Sequence, residues 1–199
     1  MNERPSHPAD ALPDAEKQQL DRVVGDVCTG ITFCGMRDCD ESFDAPSERG
    51  FHELTWGLVF SFQREGRRAV SWHQDSFGNP NRLAVTPADK LLSIESVVPQ
   101  DVSCLEPWSA HIGQILDQIT FHSYETNWAR QISAETWHPV AWGLEFLFPS
   151  GSIFVAAAIH GSFLKEPMVN DEIVVAYTPQ AINTLRALRE GYREEWSSA

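Results

Sequence analysis

The sequence predicts an α+β fold that is internally duplicated: a mainly antiparallel sheet of about eight strands, three or four helices and a pseudo-two-fold arrangement. Three repeated blocks predict it. Trp56-Gly57-Leu58-Val59-Phe60-Ser61-Phe62 recurs as Trp142-Gly143-Leu144-Glu145-Phe146-Leu147-Phe148. Gly25 with Ile31-Thr32-Phe33 recurs as Gly113 with Ile119-Thr120-Phe121, and Val85-Thr86-Pro87 recurs as Tyr177-Thr178-Pro179. The blocks are collinear, with offsets of 88 (113 − 25), 86 (142 − 56) and 92 (178 − 86). On this reading residues 1–13 are a flexible tail, 14–99 the first unit and 100–199 the second, both packed as one globular domain.

Each unit reads as helix, strand, long connection, strand hairpin, strand and helix. In the first unit Asp14 is placed to cap a short helix whose Leu20, Val23 and Val24 turn inward. A strand from Val27 to Cys34 follows, with Ile31 and Phe33 on one face and Cys28, Thr32 and Cys34 on the other. Trp56, Leu58, Phe60 and Phe62 alternate with Gly57, Val59 and Ser61, a period-two strand signal. Arg64-Glu65-Gly66 is the turn to a return strand over residues 68–73. Thr86-Pro87 reads as a cap and first helical residue, ahead of a helix that must end before Pro99.

In the second unit Ser103-Cys104-Leu105-Glu106 fits a capping box. Trp108, Ile112 and Ile115 form an inward face, continued along a strand by Ile119 and Phe121. Trp142, Leu144, Phe146 and Phe148 repeat the inner face of the second strand. Pro149-Ser150-Gly151 is its turn, and residues 152–159 and 172–177 are strands. Thr178-Pro179 opens a helix striped by Ile182, Leu185, Leu188, Tyr192 and Trp196.

The formal net charge of −13 argues against nucleic acid or an anionic membrane as a direct partner and favours a basic protein. Residues 1–13 hold no apolar core of signal-peptide length, and no stretch reaches the roughly 18 apolar residues of a membrane span. A cytoplasmic protein with reduced thiols is therefore expected.

No motif names a reaction. The chain contains no phosphate-binding glycine loop, dinucleotide fingerprint, H-E-x-x-H or EF-hand pattern, and Ser162 lacks the flanking glycines of a nucleophile elbow. Cys28, Cys34 and Cys39 follow a C-x5-C-x4-C spacing, wider than the pairs of compact zinc sites, so ordinary thiols are expected over a metal. His52 and His138 sit at equivalent positions, four residues before each repeated Trp, which favours a structural role at a strand entrance. His73, Asp75 and His160 are the residues of an alternative reading, a small-ligand or enzymatic pocket between the units. No catalytic, cofactor-binding or metal residue is assigned.

The two long connections, residues 35–53 and 122–138, leave related places on the fold but differ in chemistry. The first carries Asp38, Asp40, Glu41, Asp44, Glu48 and Glu53, suited to a basic partner. The second carries Tyr124 and Trp128, aromatic anchors of the kind that dominate interfaces. These eight residues are the expected partner-binding set.

Leu105-Glu106-Pro107-Trp108 with Ile112-Gly113, then Trp142-Gly143-Leu144-Glu145-Phe146 with Gly151, and Ile173-Val174-Val175 resemble segments of small acidic immunity proteins of bacterial toxins. They are also similar to many uncharacterised small bacterial domains. The resemblance implies a non-enzymatic inhibitor that binds and occludes a toxin, with no cofactor; the net charge of −13 is compatible with a basic toxin domain as partner but does not require one.

Overall fold

Hydrophobic alternation along the strands is resolved into two five-stranded antiparallel sheets, packed face to face. The structure is a computed structural model that describes residues 14–37, 48–74, 80–126, 138–157 and 173–186. Among these the order is α1 (Asp14–Val23), β1 (Cys28–Met36), β2 (Phe51–Leu54), β3 (Gly57–Phe62), β4 (Gly66–Gln74), β5 (Pro80–Pro87), α2 (Ala88–Leu92) and β6 (Val97–Asp101). A 3₁₀ turn (Trp108–His111), β7 (Gln118–Thr126), β8 (His138–Phe148), β9 (Gly151–Ala157) and β10 (Ile173–Ala176) follow. Helix α3 covers residues 179–186, where the Thr178 hydroxyl accepts a capping bond from the Ala181 amide at 3.3 Å.

The first sheet runs β5-β4-β3-β1-β6 and the second β2-β10-β9-β8-β7. Thus β5-β4-β3-β1 and β10-β9-β8-β7 follow the same path. Their registers agree as well. Ile31 faces Phe60 and Phe33 faces Leu58 in one sheet; Ile119 faces Phe146 and Phe121 faces Leu144 in the other. Leu58–Val70–Val85 is matched by Leu144–Val155–Val175 across three strands.

The two halves also meet reciprocally. The Gly25 amide donates to the Leu116 carbonyl and the Gly113 amide to the Cys28 carbonyl, both at 2.8 Å. The Cys28 amide donates to Gln114 and the Leu116 amide to Asp26, both at 2.9 Å. Exchanging residues 88 apart (113 − 25, 116 − 28) turns each bond of a pair into the other. Gly25 and Gly113 share the left-handed conformation, with φ of 80° and 78°. Deeper in, Phe60 and Phe146, equivalent residues of the repeated block, meet with ring centroids 4.5 Å apart.

The inner faces supply one core from both sheets, including Ile31, Phe33, Leu58, Phe60 and Val70 opposite Leu144, Phe146, Ile153, Val155 and Val175. Each such side chain contributes about 1.5–3 kcal/mol by leaving water. Helices cover the outer faces. Ala88 and Leu91 of α2 pack on Cys34, Val59 and Ala69, while Ala181, Ile182 and Leu185 of α3 pack on Phe154, Ala156, Val174 and Ala176. The layers are therefore helix, sheet, sheet, helix.

Several expectations are corrected. Ten strands are present among the described residues, where about eight were expected, because both long connections contain strand. β1 continues to Met36 and β2 occupies Phe51–Leu54, while β7 continues to Thr126 and β8 begins at His138. β6 was hidden by Pro99; among the described strands it is an edge strand paired to β1 alone, a place where proline is tolerated. Cys28 lies with Ile31 and Phe33 in the inner core, whereas Cys34 lies under α2. A register shift between Cys28 and Gly30 turns the strand over at that point. Trp56 leaves the face of Leu58: Gly57 has φ of 137°, alternation breaks, and Trp56 packs beside Val59 and stacks on Trp72.

Helix ends differ too. Pro87, rather than Thr86, is the N-cap of α2, and it offers no side-chain bond. The Ser103 hydroxyl takes the Ile31 amide at 2.9 Å instead of closing a capping box, and only the short 3₁₀ turn follows. Val24 and Ile115, expected inward, are exposed. Residues 1–13 and Leu188, Tyr192 and Trp196 of the expected helix stripe lie outside the described residues.

Candidate functional site

The acidic connection leaves β1 in the first sheet and returns as β2 in the second. Both of its ends are fixed by backbone bonds. At one end the Arg37 amide donates to the Ser96 carbonyl at 2.8 Å. At the other the Gly50 carbonyl accepts the Tyr177 amide at 3.1 Å and the Thr178 amide at 3.4 Å. Gly50 sits at φ 76°, and a Cβ there would lie 2.2 Å from the Thr178 hydroxyl, so only glycine fits. The segment between them therefore bridges the two sheets.

Of the predicted acidic set, Glu48 is exposed just before Gly50, and Glu53 stands on β2 opposite Val174. Arg49 lies over the Phe51 ring at 4.2 Å and reaches the Glu53 carboxylate at 3.8 Å, a solvated pair of little energetic weight. Asp38, Asp40, Glu41 and Asp44 lie outside the described residues. So does Trp128. Tyr124 is on β7, its backbone paired with Val140. β2 and β7 are the two opposite edges of the second sheet. Four strand spacings separate them, about 19 Å. Of the expected set, Glu53 and Tyr124 thus stand on opposite edges of one sheet.

His52, read as structural, projects from β2 into an aromatic group. Its ring centroid lies 5.6 Å from Phe33, 5.7 Å from Tyr177 and 6.0 Å from Trp108. Burial lowers its pKa, so the neutral imidazole serves as an aromatic filler where β2 crosses between the sheets. His138 opens β8. Of the alternative pocket, His73 is on β4 opposite Arg82, while Asp75 and His160 lie outside the described residues.

Three polar arrangements went unpredicted. On the outer face of the second sheet, Glu145 is buried, and one Arg186 nitrogen from α3 reaches both of its oxygens at 2.6 Å. His122 Nε2 lies 3.4 Å from the same carboxylate. Burial pushes the Glu145 carboxyl up, but bonds from Arg186 and Ser152, the Arg186 charge and His122 outweigh it and hold it below the usual range. At the matching register positions of the first sheet stand Val59 and Cys34, in an apolar cluster, so the two outer faces differ in chemistry. Removing the guanidinium would leave a buried carboxylate uncompensated. Arg186→Ala is expected to cost about 1–2 kcal/mol, discounted because the arginine is partly exposed. Adding Glu145→Val should restore most of it in a urea titration; no recovery would show that the cost lies in helix packing instead.

The second arrangement is His111, buried, with Nδ1 2.8 Å from the Ser150 hydroxyl in the β8–β9 turn. Burial lowers its pKa, keeping it neutral. The third is Asp26, 1 % exposed. Its carboxylate accepts the amides of Val27 (2.8 Å), Arg64 (3.0 Å) and Glu65 (2.9 Å) and the Arg64 Nε at 3.2 Å. In each sheet a hairpin turn, β3–β4 or β8–β9, is thus clasped by a buried polar residue, Asp26 or His111. These roles are positional, and none brings a nucleophile, base and oriented acid together.

Cys28 and Cys34 belong to different clusters on opposite faces of β1, so they cannot share an ion. Burial pushes their thiols up to about 11 and about 12. Among the described residues no group of three or more His, Cys, Asp or Glu side chains is arranged to hold a metal. No described helix is long and apolar enough to cross a membrane. Comparisons with family models, curated proteins and solved structures return no match.

Proposed function

We propose that this chain is a non-enzymatic protein-binding module, and specifically an immunity protein that binds and neutralises a bacterial toxin with a basic binding surface. The observation that carries the reading is the acidic run that joins β1 of one sheet to β2 of the other. Its flanks at Arg37 and Gly50 are held by backbone bonds, and its sequence carries Asp38, Asp40, Glu41, Asp44 and Glu48. A net charge of −13 adds a field that speeds encounter with a cationic partner. The setting is the bacterial cytoplasm. The scaffold arose by duplication of one unit, a reading supported by the shared strand order, shared registers and reciprocal Gly25/Gly113 bonds.

The test uses the product of a toxin-like reading frame adjacent to this gene. Replacing Asp38, Asp40, Glu41 and Asp44 together by Lys should weaken binding at least about 100-fold at low salt, mainly through the association rate. The unfolding midpoint should stay within about 0.5 kcal/mol of the parent. Binding that survives the reversal unchanged would remove the acidic segment from the interface.

A further inference from the structure

We propose that Phe51 and Glu53 on β2 form a recognition site for a guanidinium, a site that the chain's own Arg49 fills and that an arginine of the protein partner takes over. This rests on the protein-binding reading above and supplies a contact that the partner makes where the acidic run enters β2.

The strand builds the site. Residues two apart on a strand share a face, and Phe51 and Glu53 stand opposite Ala176 and Val174 of β10. The Phe51 ring is 8 % exposed and packs with Ala181, Ile182 and Leu185 of α3. The ladder and the helix together fix its position. The Glu53 side chain keeps 36 % of its surface in solvent. An aromatic face and a carboxylate side by side are the two groups that a planar cation can use at once. The ring attracts the flat charge, and the carboxylate accepts its N–H donors.

Arg49 demonstrates the fit. Its guanidinium carbon lies 4.2 Å from the Phe51 ring centroid, and a terminal nitrogen lies 3.8 Å from a Glu53 oxygen. The first distance is well within the ~6 Å reach of a cation on a ring, whereas the second is longer than a hydrogen bond. Arg49 starts from a set turn: Gly50 has φ of 76°, and its carbonyl accepts the Tyr177 and Thr178 amides. An arginine brought by a partner is free of that turn. It can cover the ring and also close on both carboxylate oxygens.

Arg49 can give way cheaply. It precedes β2 in the chain, and its side chain is 54 % exposed, so withdrawing its guanidinium breaks no bond between β2 and β10. A solvated ion pair of this kind contributes little. The exchange puts one cation in place of another, so Glu53 is never left bare. Exposed Glu48 and the net charge of −13 favour a cationic newcomer. Lysine is the poorer occupant, because its compact, strongly hydrated ammonium has no flat face to lay on the ring. While Arg49 holds the site, a partner sees only the fraction of molecules in which it has withdrawn, and apparent affinity falls by that fraction. Arg49 is thus an internal competitor that sets a threshold for the partner.

The probe is N-acetyl-arginine methylamide, titrated into the isotope-labelled full chain and followed at the Phe51 ring and the amides of β2. Blocked lysine and blocked citrulline, the neutral isostere, are controls. Blocked arginine should shift these signals saturably, and at least about threefold more tightly in Arg49→Ala than in the parent. Lysine should bind more weakly and citrulline not at all. Adding Glu53→Gln to Arg49→Ala should weaken arginine binding by about threefold or more. Neither substitution removes a buried side chain, so both variants should keep the parent's unfolding midpoint. No saturable shift at Phe51 in Arg49→Ala, equal binding of citrulline, or indifference to Glu53→Gln would each overturn the site. The toxin-like partner should bind Arg49→Ala at least about threefold more tightly than the parent, and equal binding would overturn the exchange. A toxin-like partner that binds neither chain would remove the immunity reading, while the arginine titration, which needs no partner, still decides the site.

Discussion

Gly57→Ala is expected to destabilise the protein by about 4 kcal/mol, the largest effect of any single methyl addition among the described glycines. Two costs add. Gly57 sits at φ 137°, a region that side-chain-bearing residues rarely enter. The new Cβ would also lie 2.2 Å from the Val70 carbonyl oxygen and 3.0 Å from the Ser71 Cα. Both are backbone atoms of β4, and β3 is held between β4 and β1, opposite Ser71 on one side and Cys34 on the other. Neither neighbour can retreat without breaking ladder bonds. Gly66→Ala is the comparison, with positive φ but open space around the added carbon, and should cost only about 1 kcal/mol. Urea unfolding measures both. A Gly57→Ala variant no less stable than Gly66→Ala would show that β3 is not clamped as described.

Asp26→Ala should cost about 3–5 kcal/mol, because three backbone amides and the Arg64 guanidinium lose their acceptor at a buried site. The loss has a pH signature. Burial raises the Asp26 carboxyl, but the amides of Glu65, Val27 and Arg64 and the Arg64 side chain together bring it below the usual carboxylate range. The folded state therefore holds this proton less tightly than the unfolded chain. The stabilisation is complete above the unfolded pKa and disappears as pH falls through the lower folded value. Unfolding free energies measured from about pH 6 down to about pH 2 should show an acid-limb slope that is shallower in Asp26→Ala. Identical slopes would assign the acid sensitivity to other carboxylates.

Much of the scaffold was legible because strand alternation is a local signal. Leu58, Phe60 and Phe62, and Leu144, Phe146 and Phe148, lie in the core where period two placed them. What failed was register. A bulge near Cys28 and a positive φ at Gly57 each invert a face, and neither leaves a mark in hydrophobicity. β6 was missed because Pro99 reads as a breaker unless the strand is known to lie at an edge. β2 was missed because four residues, two of them His52 and Glu53, carry too little apolar pattern to separate strand from loop.

The candidate site was legible only as composition. The acidic run was visible, but its passage from one sheet to the other is a tertiary fact. The ionic cluster had one trace: Glu145 stands where the first unit has Val59, on a face where a charge needs a partner. That partner, Arg186, lies 41 residues away and is brought there by α3. Asp26 had no trace beyond following a glycine, since its three amide donors belong partly to a hairpin reached through the fold alone.

The crossing of β2 has a consequence for any attempt to divide the chain. A cut after Asp101 leaves β1 to β6 in the first fragment, which thus carries away the strand that borders β10 and the Gly50 carbonyl that holds Tyr177 and Thr178. The second fragment keeps the residues that bond Gly25 and Cys28. The first piece keeps every strand of its own sheet, whereas the second lacks β2. The dependence runs mainly one way: the second half needs a strand from the first, so the two are suited to reassembly from separate chains rather than the second to independent life.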